Sequence, residues 1–175
     1  SAVNVFAFGG GYLPTKNLNL PGSADFASGF TLGGGVGILV DSVVEFRATV
    51  TGAQTQFRTD GAGAGVYLNR YHIGVELKAQ TPLTRAFAPY GLIGGGGVLL
   101  HEKGTSGRGK MQGFVHLGLG VAYPIKRAGL TLFTQADGFY YSLSQLAPGA
   151  LAPYSKTQLD LAWNTGVSYR LPLSP

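Results

Sequence analysis

Residues 67–79 read Tyr67-Leu68-Asn69-Arg70-Tyr71-His72-Ile73-Gly74-Val75-Glu76-Leu77-Lys78-Ala79. Successive side chains of an extended strand point to opposite faces. Tyr67, Tyr71, Ile73, Val75, Leu77 and Ala79 therefore share one side, and Arg70, His72, Gly74, Glu76 and Lys78 share the other. This is a strict two-residue alternation, apolar against charged, and it predicts a β-strand with two unlike faces.

The same period recurs along the chain. Eight stretches read as strands, at about 2–13, 28–39, 43–57, 67–79, 86–100, 112–123, 129–143 and 158–171. Helical period is nearly absent. No shift of composition divides residues 1–175, so a single domain is expected. The connections alternate. Residues 14–27, 58–66, 101–111 and 144–157 are the longer ones, and 40–42, 80–85 and 124–128 are short. An up-and-down meander places the longer loops at one end and the short turns and both termini at the other.

Composition narrows the class. Among 175 residues only 12% are charged, and 13 Lys+Arg against 8 Asp+Glu give 13 − 8 = +5. Soluble domains carry about 25% charged residues. The 29 glycines are far above the usual share and lack the three-residue period of collagen. With no cysteine, disulfide scaffolds, zinc fingers and thiol catalysis are excluded. A spanning helix needs about 20 apolar residues. The most apolar run, 86–100, contains Gly94-Gly95-Gly96-Gly97, which argues against a helix there.

The faces decide the environment. In the third stretch Val44, Phe46, Ala48 and Val50 oppose Glu45, Arg47, Thr49 and Thr51. In the sixth, Val115, Leu117, Leu119, Val121 and Tyr123 oppose His116, Gly118 and Gly120. In the eighth, Leu159, Leu161, Trp163, Thr165, Val167, Tyr169 and Leu171 oppose Asp160, Asn164, Gly166, Ser168 and Arg170. The first and fifth stretches are apolar or glycine on both sides. A solvated face has no use for glycine, whereas the inside of a narrow barrel does, because glycine makes room for long partners. The polar face is thus expected inward and the apolar face toward lipid. Lipid-facing aromatics gather at membrane interfaces. Phe30, Tyr67, Tyr71 and Tyr140 are expected near the long-loop end, and Phe46, Tyr90, Tyr123 and Tyr169 near the short-turn end.

The last stretch, Thr165-Gly166-Val167-Ser168-Tyr169-Arg170-Leu171, reads polar, Gly, two free positions, then aromatic-x-hydrophobic. With this motif and the whole-chain pattern, the sequence resembles the OmpA-like and OmpX-like eight-stranded outer-membrane β-barrels of Gram-negative-type bacteria. One departure is that Leu171 and Pro172-Leu173-Ser174-Pro175 stand where such chains usually end on Phe. The resemblance implies an antiparallel transmembrane barrel in the bacterial outer membrane, a monomer, with long loops extracellular and termini periplasmic. It implies an assembly signal at Gly166, Tyr169 and Leu171 that the barrel-assembly machinery reads. It also implies contact with outer-membrane lipids and lipopolysaccharide-like headgroups. The role it suggests is structural or interactive: envelope integrity, adhesion or binding through the loops.

Glu45, Arg47, Arg70, His72, Glu76, Lys78, Asp137, Asp160 and Arg170 all fall on the lumen face. Four acids against four bases and a histidine point to paired networks, because an unpaired buried charge is expensive. This constellation is expected to plug the lumen, with Glu76 paired to Arg47 or Arg70. A narrow pore for small or hydrophobic solutes is the alternative, and a soluble lipocalin-type carrier is the alternative outside membranes. A lipid-modifying barrel enzyme is the catalytic alternative. Deacylating barrels resembling this fold carry a His-Ser pair, but none of His72, His101 and His116 is followed by Ser. No catalytic residue is assigned. Gly33-Gly34-Gly35-Val36-Gly37 runs into β-branched residues rather than a helix, so no nucleotide cofactor is expected. The histidines lack metal spacing, and no metal is expected. Basic Lys103, Arg108 and Lys110 lie in the third long loop without interleaved aromatics, which argues against nucleic acid.

Overall fold

A computed structural model of the chain describes residues 2–14, 24–59, 66–82, 86–102, 111–125, 129–142 and 157–172. They form eight strands: β1 Ala2–Pro14, β2 Ala24–Leu39, β3 Val44–Thr59, β4 Val66–Gln80, β5 Ala88–Glu102, β6 Met111–Ile125, β7 Leu130–Ser142 and β8 Thr157–Pro172. Every strand is antiparallel to its neighbour in sequence. β1 also pairs with β8, from Ala2↔Pro172 to Pro14↔Asp160, and this closes the barrel. Closure leaves no unpaired edge, which is the condition for strands to stand in lipid.

β2 starts four residues before the alternation suggests, and a register shift between Ala27 and Phe30 explains why the pattern breaks there. The β2–β3 turn is fixed by Asp41, whose Oδ1 accepts the amides of Val43 (2.6 Å) and Val44 (2.8 Å). Those two bonds hold the Asp41 carboxyl below its ordinary pKa.

The barrel is apolar outside. Val75, Leu32, Leu119, Leu117, Ile93 and Val50 are all exposed on the wall, with Val75 at 68%. Water would make such a surface an aggregation hazard, and a hydrocarbon layer makes it favourable. The inside is mixed rather than polar. Phe6, Phe8, Ala88, Tyr90, Leu92, Ala122 and Phe133 form one buried cluster. Tyr12, Ala53, Leu68, Val98, Leu100, Phe114, Phe139, Tyr141 and Ala162 form another.

Glycine shapes this interior. Tyr90 pairs with Gly120, and its ring lies over the vacant position, 2.3 Å from where a Cβ would stand. Phe8 covers Gly33 in the same way, at 2.4 Å. The glycines of the lumen face are therefore spaces for large inward side chains, as the sequence pattern suggests.

Candidate functional site

The inward charges stack in three layers along the barrel axis. At the short-turn end, Glu45 and Lys78 are cross-strand partners. Lys78 Nζ is 3.7 Å from Glu45 Oε2. Arg47 Nη2 donates to Glu45 Oε2 at 3.3 Å. Its Nε is 3.2 Å from Oε1, close enough for ion pairing but not aligned as a hydrogen bond. Aromatic faces complete the seating. The Arg47 guanidinium lies 4.5 Å from the Phe6 ring centre, and Lys78 Nζ lies 4.4 Å from that of Tyr90.

The middle layer centres on His116. Its Nδ1 is 2.8 Å from Glu76 Oε1, and its Nε2 is 2.8 Å from Asp137 Oδ1. Thr49 donates to Glu76. Gln135 and Asn164 donate to Asp137, Asn164 at 2.7 Å. Glu76 reaches His116 across an empty place: Gly94 stands between them in register, and the Glu76 Cγ is 2.8 Å from its missing Cβ.

The long-loop layer centres on Asp160, which is fully enclosed. Tyr12 Oη donates to it at 2.6 Å, Gln158 Nε2 at 2.6 Å, and Tyr141 Oη also donates. Arg70 Nε is 3.5 Å away, and Arg70 also donates to Thr55 and to Tyr141 Oη. Between this layer and the middle one lies an aromatic plate. The Phe139 ring stands 4.6 Å from His116 on one side and 4.6 Å from His72 on the other. Phe114 meets His72 edge-on at 5.1 Å.

The structure thus gathers Glu45, Arg47, Lys78, Glu76, Asp137, Arg70 and Asp160 into tied clusters. His72 is inside but not in a network. Neither ring nitrogen has a hydrogen-bond partner among the described residues, and aromatic packing holds it. Arg170 follows the lumen face by register, opposite Asn4, but sits exposed at the short-turn rim.

Two further expectations need correction. Tyr90 is not an interface aromatic. It is 5% exposed and points inward, donating to Gln135 Oε1 at 2.9 Å. Its strand is apolar on both faces, so alternation alone gave no direction. Nor does Glu76 pair with Arg47 or Arg70; its partner is His116. Sequence reasoning left His116 out of the cluster although it lay on the lumen face. It also missed Tyr12 and Tyr141, which supply the hydroxyls around Asp160.

On the outer wall, Phe30, Tyr67, Tyr71 and Tyr140 are exposed toward the long loops, and Phe46, Tyr123 and Tyr169 toward the short turns. Gly166, of the assembly motif, lies where Phe8 and Phe133 crowd the lumen, while Tyr169 and Leu171 face outward. Lys103, Arg108 and Lys110 lie outside the described residues.

Several solved structures align with this chain nearly end to end. Neisserial surface protein A aligns over 97% of this chain and 98% of its own, at TM-score 0.68 and 14% identity. The fold is that of the eight-stranded outer-membrane barrels. The outer membrane protein OprG from Pseudomonas aeruginosa aligns over 98% of this chain and 97% of its own, at TM-score 0.59 and 16% identity. The outer membrane protein AlkL, solved in lipid bilayers, aligns over 100% and 92%, at TM-score 0.54 and 16% identity. These alignments run nearly end to end, so the likeness is to whole barrels rather than to a shared hairpin. No family model and no curated protein matches the sequence.

Proposed function

We propose that the chain is an integral protein of a bacterial outer membrane, monomeric and non-catalytic, with a structural or surface-interaction role. Its long loops face outward from the cell and its termini face the periplasm. Outer-membrane lipids and the barrel-assembly machinery are its expected partners, the latter through Gly166, Tyr169 and Leu171.

One observation carries this reading: the lumen is crossed by three tied charge layers and an aromatic plate. Eight strands enclose a space about wide enough for side chains to fill. Here Arg47, Lys78, Glu76, His116, Arg70 and Tyr141 fill it, and each layer uses partners from several strands. A solute would have to break buried ion pairs to pass. Chemistry is disfavoured by the same enclosure. His72 and His116 are 2% exposed, and neither has a serine partner among the described residues.

Planar-bilayer recording tests the proposal. Purified, refolded protein should give no stable large-solute conductance. Reproducible steps of porin size would overturn the closed lumen and favour the narrow-pore reading. Heat-modifiable electrophoretic mobility after detergent extraction separates a membrane barrel from a soluble one.

A further inference from the structure

The lumen mouth at the short-turn end holds more cations than carboxylates. Arg47, Lys78 and Arg170 face it, and Glu45 is the one acid that does so among the described residues, giving 3 − 1 = +2.

A single cross-strand row carries the cluster. Arg170 on β8 lies opposite Asn4 on β1, Asn4 opposite Gly37 on β2, and Gly37 opposite Arg47 on β3. Gly37 has no side chain, and the Glu45 carboxylate fills its place. Glu45 therefore sits between Arg47 and the Asn4–Arg170 pair, with Lys78 Nζ 3.7 Å from its Oε2. Lys78 feels the charges of both Arg47 and Arg170, so three like charges share one region.

Other acids nearby are engaged elsewhere. Glu76 is opposite Arg47 in register, yet its carboxylate crosses Gly94 to His116. Asp41 is held within its own turn by the amides of Val43 and Val44. Arg47 and Lys78 are buried and lean on the ring faces of Phe6 and Tyr90, which attract a cation more weakly than an anion does. Arg170 is exposed and has no carboxylate partner among the described residues. Excess positive charge in a buried place is costly until a counter-charge joins it. The donors at hand suit one class of counter-charge. A guanidinium offers a planar fork of N–H groups to two oxygens at once, and an ammonium carries three donors.

We propose that Arg170, Lys78 and Asn4 form a binding site for a small oxyanion of the phosphate type at the short-turn mouth of the lumen, with Arg47 adding charge from the layer behind. The three residues belong to the lumen face and not to the lipid-facing wall, so free phosphate fits better than the phosphate of a lipid headgroup. The inference does not depend on the membrane role or on whether the lumen conducts. It needs only that the mouth meet solvent, as it does at Arg170.

The test titrates inorganic phosphate into the refolded chain in zwitterionic detergent, at about 0.05 M ionic strength, and follows binding by isothermal calorimetry. The native chain should bind phosphate saturably, and more weakly when about 0.5 M sodium chloride is added. Arg170→Gln alters an exposed side chain and should weaken binding about tenfold, the loss of one charge-assisted contact. Lys78→Gln, its folding checked by heat-modifiable mobility, should weaken it likewise; should that variant fail to refold, Arg170→Gln alone decides. The absence of saturable binding by the native chain overturns the proposal. So does an affinity that Arg170→Gln leaves unchanged. Binding of phosphatidylglycerol in the same micelles without binding of free phosphate overturns it too, because the ligand is then a lipid headgroup.

Discussion

Replacing Arg70 with Met tests the long-loop layer directly. Arg70 and Asp160 are both fully enclosed, with Arg70 Nε 3.5 Å from Asp160 Oδ2. Met keeps much of the volume and removes the charge, which leaves the Asp160 carboxylate without a cation. Breaking a buried pair from one side costs about 3–5 kcal/mol. Tyr12, Tyr141 and Gln158 still donate to the carboxylate, which places the cost near the lower end, about 3 kcal/mol. A urea slope of about 1–3 kcal/mol/M turns this into a midpoint lowered by about 1–3 M. Trp163 is the single tryptophan and is 60% exposed on the outer wall. Its emission therefore reports transfer from water to lipid during refolding into vesicles. Asp160→Asn should cost a similar amount, because it strands Arg70. The double variant strands no charge, so it should cost about 2 kcal/mol less than the sum of the singles. If the midpoint of Arg70→Met is unchanged, or the two substitutions simply add, the layer is not a coupled network.

Other substitutions probe the remaining layers and the two faces. Glu76→Ala removes the carboxylate that stands 2.8 Å from His116 Nδ1; a double-mutant cycle should show coupling of about 0.5–3 kcal/mol between Glu76 and His116 and less between Glu76 and Arg47. Gly120→Val drives a side chain into the Tyr90 ring and should lower the urea midpoint by the equivalent of about 1–3 kcal/mol, whereas Gly11→Val, with nothing within 4 Å of its Cβ, should be tolerated. Val75→Arg puts a cation on the lipid face midway along β4, which costs about 2–4 kcal/mol. It should impair insertion into vesicles, and normal insertion would mean that Val75 does not face lipid.

The fold was legible where the two faces of a strand differ in chemistry. β3, β4, β6 and β8 carry charge or glycine on one side and large apolar residues on the other, and their directions follow from composition alone. β1 and β5 do not have that contrast. Phe6, Phe8, Tyr12, Tyr90 and Leu92 point into the barrel yet are as apolar as the residues that face lipid. An inward aromatic in a glycine-lined barrel leaves no trace in the pattern of its own strand. It becomes visible only through the partner glycine on the next strand, and that partner is set by register.

Register also explains why charge pairing was harder to read than charge placement. Neighbouring strands lie about 4.8 Å apart, so a side chain ordinarily meets the next strand and not the one beyond. Glycine removes that limit. Glu76 on β4 passes over Gly94 on β5 to reach His116 on β6. Tyr90 on β5 passes over Gly120 on β6 to reach Gln135 on β7. Two elements of the lumen thus join strands that are not hydrogen-bonded to each other. Each skips a strand whose backbone it crosses at an empty position. The 29 glycines and the sparse charges are then two sides of one arrangement. A few ionic groups suffice to brace the barrel because glycine lets each of them span it further. The same vacancies at Gly35, Gly33, Gly120 and Gly166 admit the rings of Phe6, Phe8, Tyr90 and Phe133, so the interior fills with little net charge.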